Sequence, residues 1–227
     1  MVSSRQHDRP HPPVPGATVP RGTGALVPQE PTLTPIAAER IDTAANAVTV
    51  IRTLAALGLA VLSLREASLA YLVASYLTYW VGDIADGALA RRTGQETRTG
   101  AVLDITSDRL CTTTAAAAFI VVDPAVALPI GIFLAQFCIL DTMLTLGFLP
   151  FGVLSPNYFY LADEHLYRLN WSAWAKATNT SSVVIACLLG WYPLAAAIAA
   201  GFAMAKVYSL WRMTRLMRRL AVAGTVS

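Results

Sequence analysis

Between residues 44 and 213 the chain runs through six apolar stretches, near 44–64, 67–91, 100–122, 125–149, 171–190 and 192–213. Each is long enough, at about 1.5 Å of rise per residue, to cross a bilayer core of roughly 30 Å. The pattern predicts an all-α integral membrane bundle of six transmembrane helices. Composition points the same way: 55% of residues are hydrophobic, 14% are charged and the mean hydropathy is +0.52, whereas about a quarter of a soluble domain's residues carry charge. A soluble two-domain protein is thereby excluded. The net charge of +3 would hint at nucleic acid in a soluble protein, but here the arginines cluster at the ends of the spans and read as topology, so no nucleic-acid partner is expected. Cys111, Cys138 and Cys187 lie in apolar segments without paired spacing, which indicates neither a disulfide framework nor a zinc site.

Residues 1–37 hold eight of the thirteen prolines, together with His7 and His11, and have no apolar period. This segment is expected to be a disordered cytoplasmic tail, and without a continuous apolar core it does not read as a cleaved signal peptide. Residues 38–227 form the membrane domain. Ile41–Thr43 reads as a short interfacial segment with a helix cap at Asp42 or Thr43. The longest connection, Phe151 to Asn170, begins among the helix breakers Pro150, Gly152 and Pro156, and its aromatics (Tyr158, Phe159, Tyr160, Tyr167, then Trp171 and Trp174) are expected at the membrane interface. Basic residues gather before the first span (Arg40), at the second turn-around (Arg91, Arg92, Arg98), at the end of the long link (Arg168, Lys176) and after the sixth span (Arg212, Arg215, Arg218, Arg219). The alternate connections carry only Arg65, countered by Glu66, and Asp123. The positive-inside rule then puts both termini and the loop 92–99 in the cytoplasm, with the protein in the cell membrane.

Four carboxylates interrupt the second and third stretches. A charged side chain inside a bilayer costs about 2.5–3.5 kcal/mol on the insertion scale, so a group of them calls for a cation or a functional cavity. Asp83 and Asp86 are i,i+3 neighbours and Asp104 and Asp108 are i,i+4 neighbours, so each pair projects from one helical face and two facing helices bring all four together. An oxygen cage of this kind suits hard divalent ions, Mg²⁺ first. The bland alternative is ion pairing with Arg91, Arg92, Arg98 and Arg109. That alternative does not require the small residues Gly87, Ala90 and Gly100, which allow a ligand or a neighbouring helix to approach closely.

The full pattern, D-x-x-D-G-x-x-A-R-x8-G-x3-D-x3-D from Asp83 to Asp108, resembles the motif of the CDP-alcohol phosphatidyltransferase family at every fixed position. The resemblance implies a six-helix membrane fold and transfer of a phosphatidyl group from CDP-diacylglycerol to an alcohol, with release of CMP. It also implies Mg²⁺ or Mn²⁺, two ions, held by Asp83, Asp86, Asp104 and Asp108, with Asp108 as the general base. Arg91 would meet the nucleotide's phosphate, beside Gly87, Ala90 and Gly100. Asn46, Thr49 and Arg52 are similar to the family's N-x-x-T-x-x-R opening and would add donor contacts along one side of the first span. Arg109, Lys176 and Lys206 are the candidates for an anionic acceptor. Ala175–Thr178 is similar to a glycine-lysine segment of many relatives, with alanine in place of the glycine. Asp141 is expected to pair with Lys206 or Arg109, and His165 to be a surface residue. Membrane lipids are the surroundings and a homodimer is the candidate assembly.

Leu103–Arg109 looks closer to relatives that use inositol phosphate than to those that use glycerophosphate. Inositol phosphate is therefore the expected acceptor, with phosphatidylglycerophosphate, cardiolipin and phosphatidylserine synthesis as alternatives. Two other classes share intramembrane carboxylates: an aspartate-rich membrane prenyltransferase, which normally has more spans and another aspartate spacing, and a non-enzymatic transporter or scaffold, which needs no Gly87, Ala90, Arg91 and Gly100 frame.

Overall fold

The computed structural model describes residues 39–224, with side chains through Leu220, so the expectation for the tail at residues 1–37 lies outside the described residues. Within them every regular element is helical. Helices α1 (Ala44–Glu66), α2 (Leu69–Thr93) and α3 (Arg98–Val122) are followed by α4 (Ala127–Ala135), a π-helical turn (Gln136–Asp141) and α5 (Thr142–Leu146). Two 3₁₀ turns, Leu149–Phe151 and Pro156–Leu161, lead through α6 (Glu164–Asn170) to α7 (Ala173–Leu188) and α8 (Tyr192–Gly224). Local chemistry sets the ends. The Thr43 hydroxyl accepts from Asn46 N at 3.1 Å and caps α1, as the sequence predicts. Gly94, at φ +65°, ends α2 in the left-handed conformation, and the Thr97 hydroxyl accepts from Gly100 N at 2.9 Å to start α3.

Four segments are long and apolar enough to cross a membrane: Ala44–Glu66, Arg98–Val122, Pro124–Phe151 and Tyr192–Leu220. The chain is an integral membrane protein by this measure, although only four of the six expected stretches meet both conditions. Helix α2 has the length, 25 residues, but carries Asp83, Asp86, Arg91 and Arg92. Helix α7 has only 16 residues, with Lys176, Asn179 and a run of serines and threonines along it.

Helix α1 lies along both α2 and α3, and its buried side toward them is built of small or polar residues, among them Ala56 and Ala60. Ser75 Oγ donates to the Ala56 carbonyl at 2.8 Å across the α1–α2 contact, as suits helices associating in lipid. Two apolar clusters fill the rest of the bundle. One joins α3, α4, α7 and α8 through Phe119, Phe133, Val183 and Ala199. The other lies on the side of the long link and contains Ile105, Leu144, Phe148, Phe159, Trp171 and Met213. Phe159 and Trp171, expected at the membrane interface, are instead core residues, with ring centroids 4.8 Å apart. The 3₁₀ turn rolls Phe159 inward while Tyr160 stays outside, and Trp174 is 82% exposed.

Candidate active site

The C-terminal half of α2 and the N-terminal half of α3 bring the aspartates together, as their spacing predicts. Carboxylate oxygens of Asp83, Asp104 and Asp108 all lie within 4.8 Å of one another. The counter-charge comes from α1. Arg52, 4% exposed, donates through Nε to Asp86 Oδ2 at 2.7 Å. Its Nη2 reaches Asp83 Oδ1 at 3.3 Å, Asp108 Oδ1 at 3.2 Å and also Asp104. Arg52 therefore belongs to the carboxylate cluster and not to the donor cleft, where the sequence pattern had put it. Its partners also replace the pairing alternative of Arg91, Arg92, Arg98 and Arg109: Arg98 bonds the Gly152 carbonyl and Arg109 bonds Asp141.

One guanidinium among four carboxylates leaves a formal excess of three negative charges, and Arg52 Nη1 is buried with no hydrogen-bond partner. A donor set made only of carboxylate oxygens, with charge still to be neutralised, fits a hard divalent cation. Asp86 stands apart from this triad. Its Oδ2 accepts from Thr49 Oγ1 and Arg52 Nε, both at 2.7 Å, and the residue is 4% exposed. Of the four expected metal ligands, three are thus grouped and the fourth anchors α1 to α2.

Beside the cluster runs a cleft. Asn46 and Thr49 line it from α1, and Asp86, Gly87, Ala90 and Arg91 from α2. Gly100 and Asp104 line it from α3. Six of the seven expected donor-contact residues share this one surface, Arg52 being the exception. A Cβ at Gly100 would stand only 2.9 Å from both Asn46 Oδ1 and Thr97 Oγ1, whereas one at Gly87 would meet only the flexible end of Arg91, 3.2 Å from Nη1. Asn46 Nδ2 donates to the Ile41 carbonyl at 2.8 Å, which turns its Oδ1 toward Gly100.

The three expected acceptor cations are divided. Arg109 Nη2 and Lys206 Nζ both contact Asp141, at 2.6 and 2.5 Å, so the pairing expected of Asp141 is made with both. Asp141 ends the π-helical turn and is buried, and Arg109 also stacks over the Phe137 ring at 3.8 Å. Lys176 stands elsewhere, donating to Asn157 Oδ1 at 2.7 Å.

Sequence reasoning missed several contributors. Gly82 is one: a Cβ there would lie 2.6 Å from Arg52 Cβ and Cδ, so the glycine makes room for the arginine. Gln95, Glu96, Thr97, Ser155 and Asn157 also line the cleft. Only Thr97 had a readable signal, its position three residues before Gly100 as a helix cap. Tyr158 OH donates to Glu96 Oε2 at 2.7 Å across the mouth of the site. Desolvation, and then the Glu96 carboxylate, push the Tyr158 phenol up to about 12, so it stays a neutral donor.

A family model described as CDP-alcohol phosphatidyltransferase matches residues 42–213, which includes the cluster, the cleft and the Asp141 group. The chain belongs to the CDP-alcohol phosphatidyltransferase family. No curated protein and no solved structure matches it. Membership makes the chain a membrane transferase of phospholipid biosynthesis that moves a phosphatidyl group from a CDP-alcohol to an acceptor. The family's use of divalent metal ions agrees with the aspartate triad. Neither the prenyltransferase nor the transporter class is supported.

Proposed function

We propose that the protein transfers the phosphatidyl group of CDP-diacylglycerol to the hydroxyl of an anionic alcohol, inositol phosphate, releasing CMP. The observation that carries this is the placing of an oxygen-only carboxylate triad next to a cleft walled by Gly87, Ala90, Arg91 and Gly100. Mg²⁺, as two ions, is the proposed cofactor; bound at Asp83, Asp104 and Asp108 with Asp86 beside them, it would neutralise the pyrophosphate and stabilise the leaving phosphate. Arg91 holds the nucleotide's phosphate with its planar fork. Asp108 takes the proton of the acceptor hydroxyl, whose oxygen forms a bond to the lipid-side phosphorus. The bond from that phosphorus to the bridging oxygen breaks, and CMP leaves with the electron pair. Arg52 keeps the carboxylates in register through its contacts to all four.

For the acceptor, Arg109 and Lys206 share the single carboxylate of Asp141, so this buried group carries one net positive charge, and Arg109 Nε has no partner. An acceptor phosphate complements both features. Glycerol phosphate has the same charge and gives the second reading, phosphatidylglycerophosphate synthesis. In the membrane, we place α2 and α7 as the second and fifth of six spans, with both termini and the aspartate end cytoplasmic in the cell membrane, on the distribution of basic residues. Purified protein given CDP-diacylglycerol, Mg²⁺ and separate inositol phosphate, glycerol phosphate and serine acceptors tests the assignment. A phosphatidylinositol phosphate product by mass, formed with one CMP per turnover, is expected. Product from serine alone would overturn the anionic acceptor.

A further inference from the structure

One wall of the cleft comes from outside the aspartate motif: Leu154, Ser155 and Asn157, on the connection between α5 and α6. This segment is held in place from three directions. Arg98 Nη2 donates to the Gly152 carbonyl at 2.9 Å, Tyr158 OH to Glu96 Oε2 at 2.7 Å and Lys176 Nζ to Asn157 Oδ1 at 2.7 Å. Gly152, at φ +72°, makes the turn that brings the segment over the cleft. Two neutral polar groups remain on it. Ser155 Oγ is buried and makes no hydrogen bond, although the residue precedes the 3₁₀ turn where a serine ordinarily caps. Asn157 uses Oδ1 on Lys176, which leaves its amide NH₂ to donate.

We propose that Ser155 and Asn157 bind the nucleoside half of the CDP-linked donor, an inference that rests on the donor assignment above. Helix α2 runs on from Asp86 to Thr93, roughly 10 Å at about 1.5 Å per residue, before the loop that holds Glu96. The link tied to that loop therefore lies at the Arg91 end of the cleft, within reach of a nucleoside whose phosphate Arg91 holds. The chemistry agrees. A hydroxyl and an amide NH₂ are neutral, and they complement ring carbonyls, ring nitrogens and ribose hydroxyls. Arg91 and Lys176, which suit phosphate, flank this wall, and Ser155 and Asn157 themselves add no charge to it. A buried hydroxyl without a partner costs stability, and a bound nucleoside gives it one.

The test is binding of CMP, in the presence of Mg²⁺, to the full-chain protein and to the variants S155A and N157L, by calorimetry. Inorganic pyrophosphate binding and thermal unfolding are measured alongside. Each variant should bind CMP about two- to tenfold more weakly, the loss of one neutral hydrogen bond, with pyrophosphate affinity unchanged. S155A should unfold at or above the wild-type temperature, because its hydroxyl has no internal partner to lose. Unchanged CMP affinity in both variants overturns the proposal, as does an equal loss for CMP and pyrophosphate, or a lowered unfolding temperature in S155A with general loss of binding. A wild-type protein that binds no CMP is a different result, and overturns the donor assignment itself.

Discussion

Replacing Gly82 by alanine should damage both packing and turnover, and the reason is geometric. The new Cβ would stand 2.6 Å from Arg52 Cβ and Cδ, where carbon pairs rest at about 3.5–4.0 Å. A rotamer change moves Cδ but not Cβ, so α1 and α2 must part locally by about 1 Å, which lifts Arg52 from the carboxylates and Thr49 from Asp86. Gly58 is the control. It lies within α1 with nothing within 4 Å of its added Cβ. At both positions alanine adds about 1 kcal/mol of helix preference, but only at Gly82 does overpacking subtract about 1–3 kcal/mol. G58A should therefore unfold at or above the wild-type temperature in detergent, and G82A about 1–3 kcal/mol below G58A. Misplacement by 1 Å in a reacting constellation costs about a hundredfold in rate, so CMP release by G82A should fall by roughly that factor while G58A keeps wild-type turnover. Equal unfolding temperatures and equal turnover in the two variants would refute the argument that Gly82 exists to admit Arg52.

Three further outcomes follow from the site. D108N should lose about two to four decades of turnover while CMP binding survives, and near-normal turnover would move the general base elsewhere. R109M and K206M should raise the KM for an anionic acceptor by roughly ten- to hundredfold, the loss of about 1.5–3 kcal/mol per charge-assisted contact, with little change for CDP-diacylglycerol; unchanged acceptor KM in both folded, active variants excludes an anionic acceptor there. The Tyr158 phenol should titrate near 12, above its ordinary 10.0, so the stability of its bond to Glu96 is full below pH 10 and is lost as pH rises through about 12; comparing ultraviolet pH titrations of the wild type and Y158F checks this, and a wild-type transition near pH 10 that Y158F lacks would contradict it.

Much of the site could be read from spacing, because Asp83 with Asp86, and Asp104 with Asp108, must share helical faces wherever those helices form. The Thr43 cap and the pairing of Asp141 were legible for similar reasons: each follows from a residue type in an environment that leaves it few partners. Arg52 was not. Its place in a polar stripe says which side of α1 it occupies, whereas its long side chain crosses to α2 and α3, a tertiary fact that also hides the role of Gly82. Ser155 and Asn157 follow no fixed spacing from the motif, and only the folding of the long link over the cleft brings them near it. The aromatics of that link misled because aromatic residues between spans ordinarily mark an interface, while here a 3₁₀ turn buries Phe159 against Trp171. No sequence period signals the π-helical turn at Gln136–Asp141.

Release of CMP from CDP-diacylglycerol by metal-stripped protein, before and after addition of Mg²⁺, tests the carboxylate cluster most directly. Four carboxylates gathered on the one guanidinium of Arg52 predict no turnover after chelation and full recovery with Mg²⁺ or Mn²⁺, and D83N and D104N should not recover at the same ion concentration. Undiminished CMP release from protein shown by elemental analysis to hold no divalent ion would contradict it.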